Sequence, residues 1–218
     1  ALEVTCQNGG DEFRPDIVIF INGLPLSYIE VKQPNAIRDG KTAIQSEQSR
    51  TAVRFENRRF RRFNNITQLI SFSDNLPYIS GQGQQKQGSF YCSNAFSKTK
   101  FNAFKEEREE ELIYSIRSLG EEEIDAVLKD VNRFALKSQP EFKTNQDPST
   151  PCNTFISSLY QKERLLFLLR YGLAYVEEHS KDGTIQLQKH VMRYPQFFAT
   201  KAIEDAIGKG VKKGVIWH

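Results

Sequence analysis

Residues 14–33 read RPDIVIFINGLPLSYIEVKQ, and this stretch decides the fold of the chain. It holds two β-rich runs, residues 17–21 and 26–32, on either side of an Asn-Gly step. Asn-Gly between two such runs is the strongest short-range signal for a β-hairpin. The sequence therefore predicts two antiparallel strands joined by a tight turn.

Three charged side chains interrupt this apolar hairpin, namely Asp16, Glu30 and Lys32. A charge inside so apolar a segment costs free energy unless it is paired or bound to a metal. Residues 30 and 32 are two apart on one strand, so their side chains share a face. The second strand is therefore expected to present a carboxylate and an amine side by side.

The length of the turn decides whether Asp16 joins them. A strict two-residue loop at Asn22-Gly23 would put Asp16 on the opposite face from Glu30. An odd-length turn, with Gly23 in the left-handed conformation, would place Asp16 across from Tyr28 or Glu30. We predict this odd register, because both carboxylates can then reach one cation with the lysine beside it.

Two carboxylates and a lysine on one face suit the hydrolysis of a phosphodiester. The carboxylates can hold Mg²⁺, which takes oxygen ligands, polarises the phosphate and lowers the pKa of a bound water. The lysine can orient that water or stabilise the charge that develops on the phosphate. The alternative is an edge hairpin with a Glu–Lys pair kept as solubilising charge. The Pro-Asp step upstream and the apolar flanks favour the metal site.

The Pro-Asp step followed by Glu-Val-Lys resembles the PD-(D/E)xK nuclease signature. The longer string RPDIVIFINGLPLSYIEVKQP resembles the nuclease domain of the restriction (R) subunit of type I restriction-modification enzymes. That family cuts DNA with a Mg²⁺-dependent nuclease fused to an ATP-driven translocase. The resemblance implies that Asp16 and Glu30 are metal ligands. It further implies that the carbonyl of Val31 is a third ligand and that Lys32 is the catalytic lysine.

The same family carries a Gln-x-x-x-Tyr motif on the helix after the catalytic strand. This chain has Gln45 and Gln48 there, and neither is followed by a tyrosine four residues later. Gln45 is the better match because it lies nearer the strand, and an amide at that point can hold a phosphate or the water. An ordinary exposed glutamine is nearly as good an interpretation.

Residues 41–63 contain no Pro or Gly and are predicted to be mainly helical. Arg50, Arg54 and Arg58 are spaced four apart and would line one face of that helix. Such a stripe can follow a DNA backbone. A solvated basic face paired with the acidic segment 106–111 explains the charge pattern equally well. The nuclease interpretation favours phosphate contact.

Residues 138–153 contain three prolines and few apolar side chains, which predicts a linker. We therefore place a nuclease domain over residues 1–150, with an α/β fold in which a mixed, restriction-endonuclease-like sheet is flanked by helices. Residues 151–218 are assigned to a linker and the lead-in to the helicase motor of the same family, which the stretch 193–218 resembles. Gln196 would correspond to the glutamine that reads adenine in such motors. A polar residue at a helix N-terminus explains Gln196 better here, because the chain has no phosphate-binding loop and ATP is expected only for the full-length protein.

The remaining segments have weaker signals. Strands are predicted over residues 66–72, 89–96 and 214–217, and a hairpin over residues 171–178 and 184–190. Helices are predicted from residue 106 and over residues 121–137, 155–170 and 196–208. Residues 81–88 are rich in Gly and Gln and are expected to form a mobile loop.

Composition sets limits on the class of protein. A hydrophobic content of 39% and a charged content of 26% are typical of a globular chain. The formal net charge of +3 does not by itself require a nucleic-acid partner. The three cysteines form no Cys-x-x-Cys pair, which argues against zinc and fits a reducing cytoplasm. No apolar run is long enough for a membrane span, and the start at Ala1 without a methionine suggests further residues upstream.

The sequence therefore predicts Mg²⁺-dependent cleavage of double-stranded DNA by the R subunit of a type I restriction enzyme, acting with modification and specificity subunits. One alternative is a catalytically inactive DNA-binding module of the same fold, which the missing tyrosine favours. Another is a PD-(D/E)xK nuclease of DNA repair. The intact Asp16, Glu30 and Lys32 count against the first alternative, and the tail from residue 193 counts against the second.

Overall fold

The structure is a computed structural model that describes residues 1–34, 37–38, 40–81, 84–94, 99–112, 118–179 and 182–216. The strands are β1 (Cys6–Asn8), β2 (Asp11–Phe13), β3 (Ile17–Ile21), β4 (Leu24–Val31), β5 (Ile37–Arg38), β6 (Lys41–Thr42), β7 (Leu69–Ser73), β8 (Ile79–Gly81), β9 (Gln84–Gln87), β10 (Ser89–Cys92), β11 (Asn102–Phe104), β12 (Leu173–His179) and β13 (Ile185–Val191). The helices are α1 (Ala43–Glu56), α2 (Arg61–Ile66), α3 (Glu109–Leu112), α4 (Glu121–Asp130), α5 (Pro140–Asn145), α6 (Pro151–Leu159), α7 (Lys162–Tyr171) and α8 (Tyr194–Gly208), with 3₁₀ turns at Arg58–Phe60 and Phe134–Ser138.

Five strands form the central sheet, in the order β11-β10-β7-β4-β3. Strands β4 and β7 run parallel, and the other neighbours are antiparallel. Side chains of α1 pack with one face of this sheet, and side chains of α6, α7 and α8 pack with the other. A mixed sheet flanked by helices is the architecture that the sequence predicts, and the prediction is confirmed.

The middle strand β7 explains why the core has two halves. All five of its residues are buried, and successive side chains point to opposite faces. Ile70 and Phe72 enter the core on the α1 side, whereas Leu69 enters the core beneath α6 to α8. A strand buried on both faces must satisfy the polar side chains that it carries.

Tyr160, just after α6, meets this requirement on the face of the sheet that α6, α7 and α8 cover. Its hydroxyl lies 2.7 Å from the hydroxyls of both Ser27 on β4 and Ser71 on β7. Ser27 also donates to the carbonyl of Leu69 at 2.6 Å. The three hydroxyls therefore form one hydrogen-bonded group that ties the end of α6 to two strands.

We expect Tyr160→Phe to lower the free energy of unfolding by about 1–3 kcal/mol, because it leaves a buried serine hydroxyl without its partner. Urea unfolding of the two proteins measures this difference. Tyr175→Phe is the matched control, since that phenol is exposed and donates to Gln68 on the surface. Equal losses for the two variants would contradict a structural role of the buried group.

The turn between β3 and β4 differs from the prediction. Ile21 pairs directly with Leu24, so the loop has two residues and the predicted odd-length turn is wrong. Asn22 and Gly23 have φ values of 51° and 80°, the left-handed conformations that a type I′ hairpin turn requires. Asparagine and glycine adopt these conformations at low cost, which explains the turn.

A β-bulge nevertheless places Asp16 and Glu30 on the same face of the hairpin, as predicted. The register shifts between Ile19 and Phe20, where Leu26 on β4 is the extra residue. Beyond the bulge Ile17 pairs with Ile29, so the next pair outward is Asp16 and Glu30. The two carboxylates therefore lie across from one another, as expected, although the bulge and not the turn brings this about.

Residues 41–63 do not form one helix. Helix α1 ends at Glu56, and a 3₁₀ turn and the short α2 follow. The side chain of Asn57 accepts a hydrogen bond from the Arg59 N–H at 2.9 Å. Asparagine competes for backbone groups in this way and favours the end of a helix over its interior.

The boundaries of other helices and strands also differ from the prediction. Residue 81 belongs to β8 and residues 84–87 form β9, and residues 138–153 hold α5 and the start of α6, where a loop and a linker were expected. The helix predicted over residues 155–170 is split into α6 and α7, and that over residues 121–137 ends at Asp130 and is followed by a 3₁₀ turn. Residues 214–216 are not in a strand, and residue 217 and residues 95–96 lie outside the described residues. The hairpin β12–β13 and helix α8 are confirmed.

The part of the chain after residue 150 contributes to the core of the sheet. Phe155, Leu168 and Phe198 pack with Leu69 and Tyr91 of the sheet strands. A buried ion pair adds to this contact, since Arg164 Nη1 of α7 lies 2.7 Å from Glu106 Oε2 beyond β11. The domain boundary at residue 150 stays a prediction, but the helices that follow it cover one face of the sheet. In the described ranges, no helix is both long and apolar enough to cross a membrane.

Lys189 on β13 gives a test that depends on pH. Its ammonium donates to the carbonyls of Asn65 and Thr67 at 3.1 Å, and burial lowers the pKa of Lys189 to about 8. Above that pH the unfolded chain binds more protons than the folded chain, so this residue makes stability rise with pH up to its ordinary pKa. We expect wild type to gain about 1 kcal/mol relative to Lys189→Met between pH 7 and pH 10, a value reduced for partial exposure. Urea unfolding at both pH values measures this, and a constant difference would contradict it.

Candidate active site

Asp16, Glu30 and Lys32 meet at the end of β4, on the face of the sheet that α1 covers. Lys32 Nζ lies 3.4 Å from Glu30 Oε2 and 3.8 Å from Asp16 Oδ2. Glu30 is 2% exposed, whereas Lys32 and Asp16 keep about a third of their side-chain surface in solvent. The structure thus brings the three predicted side chains together at a site that opens to solvent.

Backbone contacts fix this end of the hairpin. Asp16 Oδ2 accepts a hydrogen bond from the Val31 N–H at 2.8 Å, which ties the start of β3 to the end of β4. The Lys32 N–H donates to the carbonyl of Ser73 at 3.0 Å, which aligns β4 with β7. Both carboxylates therefore project from a backbone that is bonded on each side.

Two residues that the sequence analysis did not assign to the site complete it from α1. Arg54 Nη1 lies 2.9 Å from Glu30 Oε1 and 3.1 Å from Glu47 Oε1. The second oxygen of Glu47 lies 3.0 Å from Nη1 of Arg50, which is largely exposed. Charges therefore alternate from the hairpin to the surface of the helix. We name this row the ion-pair chain; its members are Asp16, Lys32, Glu30, Arg54, Glu47 and Arg50.

The position of Glu47 and Arg54 follows from helical geometry. Ile44, Glu47, Thr51 and Arg54 recur at three- and four-residue intervals and are all buried. Only one of these four side chains is apolar, so the face cannot be recognised as buried from hydrophobic periodicity. The signal that remains in the sequence is a carboxylate and an arginine seven residues apart, which places them two turns apart on one face.

Burial and neighbouring charges set the electrostatics of the ion-pair chain. Burial raises the pKa of Glu47, and the neighbouring Glu30 raises it further, whereas Arg54 and Arg50 oppose the shift. Burial alone would lower the pKa of Arg54, but Tyr28, Glu30 and Glu47 raise it above its ordinary value. Arg54 therefore stays charged between two carboxylates, which compensates much of the cost of burying them.

The prediction that Arg50, Arg54 and Arg58 line one exposed face of a helix is wrong. Arg54 is 7% exposed and faces the core, where its guanidinium lies over the Phe13 ring. Arg58 lies beyond the end of α1, in the 3₁₀ turn. Arg50 remains exposed and reaches the outer end of the ion-pair chain. The four-residue spacing failed because the helix ends before Arg58 and because Arg54 pairs with buried acids.

Gln45 and Gln196, for which the sequence predicts functional roles, both lie at helix N-termini. Gln45 Oε1 accepts from the Thr42 N–H at 3.1 Å, and the Thr42 hydroxyl accepts from the Gln45 N–H, which closes a capping box on α1. Gln45 and Gln48 also line a cleft of about 630 Å³ beside that helix. Gln196 Oε1 accepts from the Arg193 N–H at 3.0 Å and caps α8, in agreement with the structural interpretation. A role of Gln45 in catalysis or of Gln196 in adenine binding stays a prediction.

The oxygen donors at this site fit a hard divalent cation. Asp16 and Glu30 each direct a carboxylate oxygen at the Lys32 ammonium, so the two groups already converge on one positive charge. Among the described residues no group of three or more His, Cys, Asp or Glu side chains is placed to hold a metal. Mg²⁺ suits such a site, because it is commonly bound by one or two carboxylates and keeps several waters.

The fold and the grouped side chains define the class of protein: a restriction-endonuclease-like mixed sheet with acidic and basic groups gathered where β4 ends. A family model described as type I restriction enzyme R protein N terminus matches residues 1–110, which is half of the chain and spans the five-stranded sheet, α1 and the candidate site. The chain belongs to this family. Comparisons with curated proteins and with solved structures found no match.

Proposed function

We propose that this chain is the nuclease part of a type I restriction enzyme R subunit and hydrolyses phosphodiester bonds of double-stranded DNA with Mg²⁺. The observation that carries the proposal is the meeting of Asp16, Glu30 and Lys32 at the end of β4, within a fold of this family. A buried glutamate and a half-buried aspartate that converge on one cation are costly to maintain for stability alone.

Each residue has a chemical role in this proposal. Asp16 and Glu30, with the carbonyl of Val31, would hold Mg²⁺. When bound, the metal supplies charge that polarises the phosphate and makes a bound water more acidic. Lys32 then stabilises negative charge on the phosphate or orients the attacking water. Arg54 holds one oxygen of Glu30 in place, so that the other oxygen remains available to the cation.

Contact with the DNA backbone is assigned to exposed arginines of α1 and of the turn and helix that follow it. Arg50 lies at the surface end of the ion-pair chain, and residues 58–62 contain four more arginines, of which Arg59 is paired with Asp11. Arg58 and Arg62 are exposed and make no ion pair with any described residue. Such groups can bind phosphates without reading base sequence, so specificity would come from partner subunits. ATP would be bound only by a motor in the full-length protein.

The proposal is tested by cleavage of supercoiled plasmid, with the protein alone and assembled with modification and specificity subunits. We expect cleavage with Mg²⁺, none with EDTA, and a loss of about 10²-fold or more for Asp16→Asn. Asp11→Asn is the matched control, because that aspartate is also half exposed and ion-paired but lies outside the site. Metal-independent cleavage, or equal rates for the two variants, would contradict the proposal. DNA binding without cleavage in every assembly would favour the catalytically inactive module.

A further inference from the structure

We propose that Arg54 is a positioning residue: anchored by Glu47, it turns one oxygen of Glu30 into the protein and leaves the other facing the cation site. This inference rests on the proposed function, since it assigns to the α1 pair a role in the same site. Neither Arg54 nor Glu47 is among the predicted ligands or catalytic groups. Their effect on a bound cation would therefore be transmitted through Glu30.

The first observation is that the two oxygens of Glu30 have different partners. Oε1 lies 2.9 Å from Arg54 Nη1, and Oε2 lies 3.4 Å from Lys32 Nζ. A glutamate side chain has several rotatable bonds, and fixing it costs rotamer entropy. The bond to Arg54 therefore selects one orientation of the carboxylate, the one in which Oε2 faces Lys32 and Asp16.

The second observation is that Arg54 is itself immobilised. Its guanidinium is held by Glu47 Oε1 at 3.1 Å and lies 4.9 Å from the centroid of the Phe13 ring. Its backbone carbonyl accepts from Asn64 Nδ2 at 2.9 Å, and the residue is 7% exposed. An arginine fixed by a carboxylate, a ring and a backbone bond can fix its own partner in turn.

The third observation concerns the balance of charge. Glu30 and Glu47 are both almost completely buried, and Arg54 is the cation that contacts both of them. Arg50 reaches Glu47 from the surface at 3.0 Å, so Glu47 has two cationic partners. Glu30 has Arg54 on its inner oxygen and Lys32, whose side chain is 32% exposed, on its outer oxygen. The outer oxygen is therefore the one that an added divalent cation can take.

Arginine suits this role better than lysine. Its guanidinium lies over the Phe13 ring while Nη1 contacts both carboxylates, whereas lysine is a point charge on a flexible stem. Removing a group that orients a metal ligand typically weakens metal binding by 10–100-fold. Removing a positive charge near the site has the opposite Coulombic effect and would strengthen the binding of a cation. If Arg54 is removed, a positioning role therefore predicts weaker cation binding, whereas simple charge repulsion predicts stronger cation binding.

The test is Mn²⁺ binding to the whole protein without DNA, measured by electron paramagnetic resonance. The double variant Arg54→Met/Glu47→Gln removes one charge of each sign, so the net charge stays constant and the Coulombic contribution largely cancels. We expect it to bind Mn²⁺ about 10-fold or more weakly than wild type. The matched control is Lys201→Met/Glu204→Gln, which removes a 2.7 Å ion pair on α8, outside the site, and should bind as wild type does.

Arg54→Lys is the second variant, because it keeps the charge if the double variant does not fold. We expect intermediate affinity, since lysine can hold Glu30 but not the full set of contacts. Native circular dichroism with unchanged or tighter Mn²⁺ binding in either Arg54 variant would overturn the inference while leaving the proposed function intact. If wild type binds no Mn²⁺, or if Asp16→Asn does not weaken its binding, the proposed function and the inference both fail.

Discussion

Lys32→Ala is expected to reduce Mg²⁺-dependent DNA cleavage by about 10²–10³-fold, the usual cost of removing one group that stabilises charge in the transition state. The amine of Lys32 lies within 4 Å of both candidate metal ligands, so the side chain is at the reacting phosphate in the proposed complex. It is 32% exposed and lies just beyond the end of β4, which limits its contribution to the core. The loss should therefore appear in the rate of cleavage and not in the folding of the protein.

Initial rates on supercoiled plasmid, at several Mg²⁺ concentrations, measure this loss. Lys41→Ala is the matched control, because that lysine is exposed on β6, just before α1, and its ammonium donates to the Ser49 hydroxyl at 3.5 Å. Circular dichroism of each variant checks that the fold is retained. A folded Lys32→Ala protein that cleaves as fast as Lys41→Ala would show that this amine is not part of the chemistry.

Arg54→Ala is expected to lower the free energy of unfolding by about 3–5 kcal/mol, the typical cost of breaking a buried ion pair by removing one partner. The change leaves Glu30 and Glu47 buried without the cation that contacts both of them. It also removes the guanidinium from the Phe13 ring. The two carboxylates must then be protonated or hydrated, and either event opposes folding near neutral pH.

Urea unfolding at pH 7 compares this variant with Arg50→Ala. Arg50 contacts the same Glu47 but is 46% exposed, so its removal should cost less than about 1 kcal/mol. Lowering the pH should narrow the difference between wild type and Arg54→Ala, because protonated carboxyls no longer require the cation. Equal losses for Arg50→Ala and Arg54→Ala would contradict the central place of Arg54 in the ion-pair chain.

Much of the fold could be predicted because the relevant segments carry local signals. The Asn22-Gly23 step and its β-rich flanks predict a hairpin, and the apolar run over residues 66–72 predicts the strand beside it. The spacing of Glu30 and Lys32 predicts a shared face without any tertiary information. These features depend on backbone geometry and side-chain alternation, which are fixed by residues close together in the chain.

The position of Asp16 was predicted correctly for an incorrect reason. A sequence shows that the register must change by one residue if the carboxylates are to meet, but it does not show where. The structure makes the change at Leu26, in the middle of the hairpin, and keeps an ideal two-residue turn. Bulges are stabilised by contacts with the rest of the sheet, so local propensity does not locate them.

The role of α1 could not be predicted, because the partners of its charged residues are far away in sequence. Arg54 and Arg50 look equivalent in a helical pattern, yet one faces Glu30 across 24 residues of chain and the other faces solvent. Charge spacing identifies a face of a helix but not whether that face is buried. The end of α1 at Asn57 likewise depends on a side-chain bond that competes with the helix.

The most direct test of the central claim is the position of a bound divalent cation. A crystal of the protein soaked in Mn²⁺ would locate the ion from its anomalous scattering. We predict one peak between the carboxylates of Asp16 and Glu30, with Arg54 still bonded to the inner oxygen of Glu30. A fully occupied ion at another place in the protein, with these two carboxylates unliganded, would contradict it.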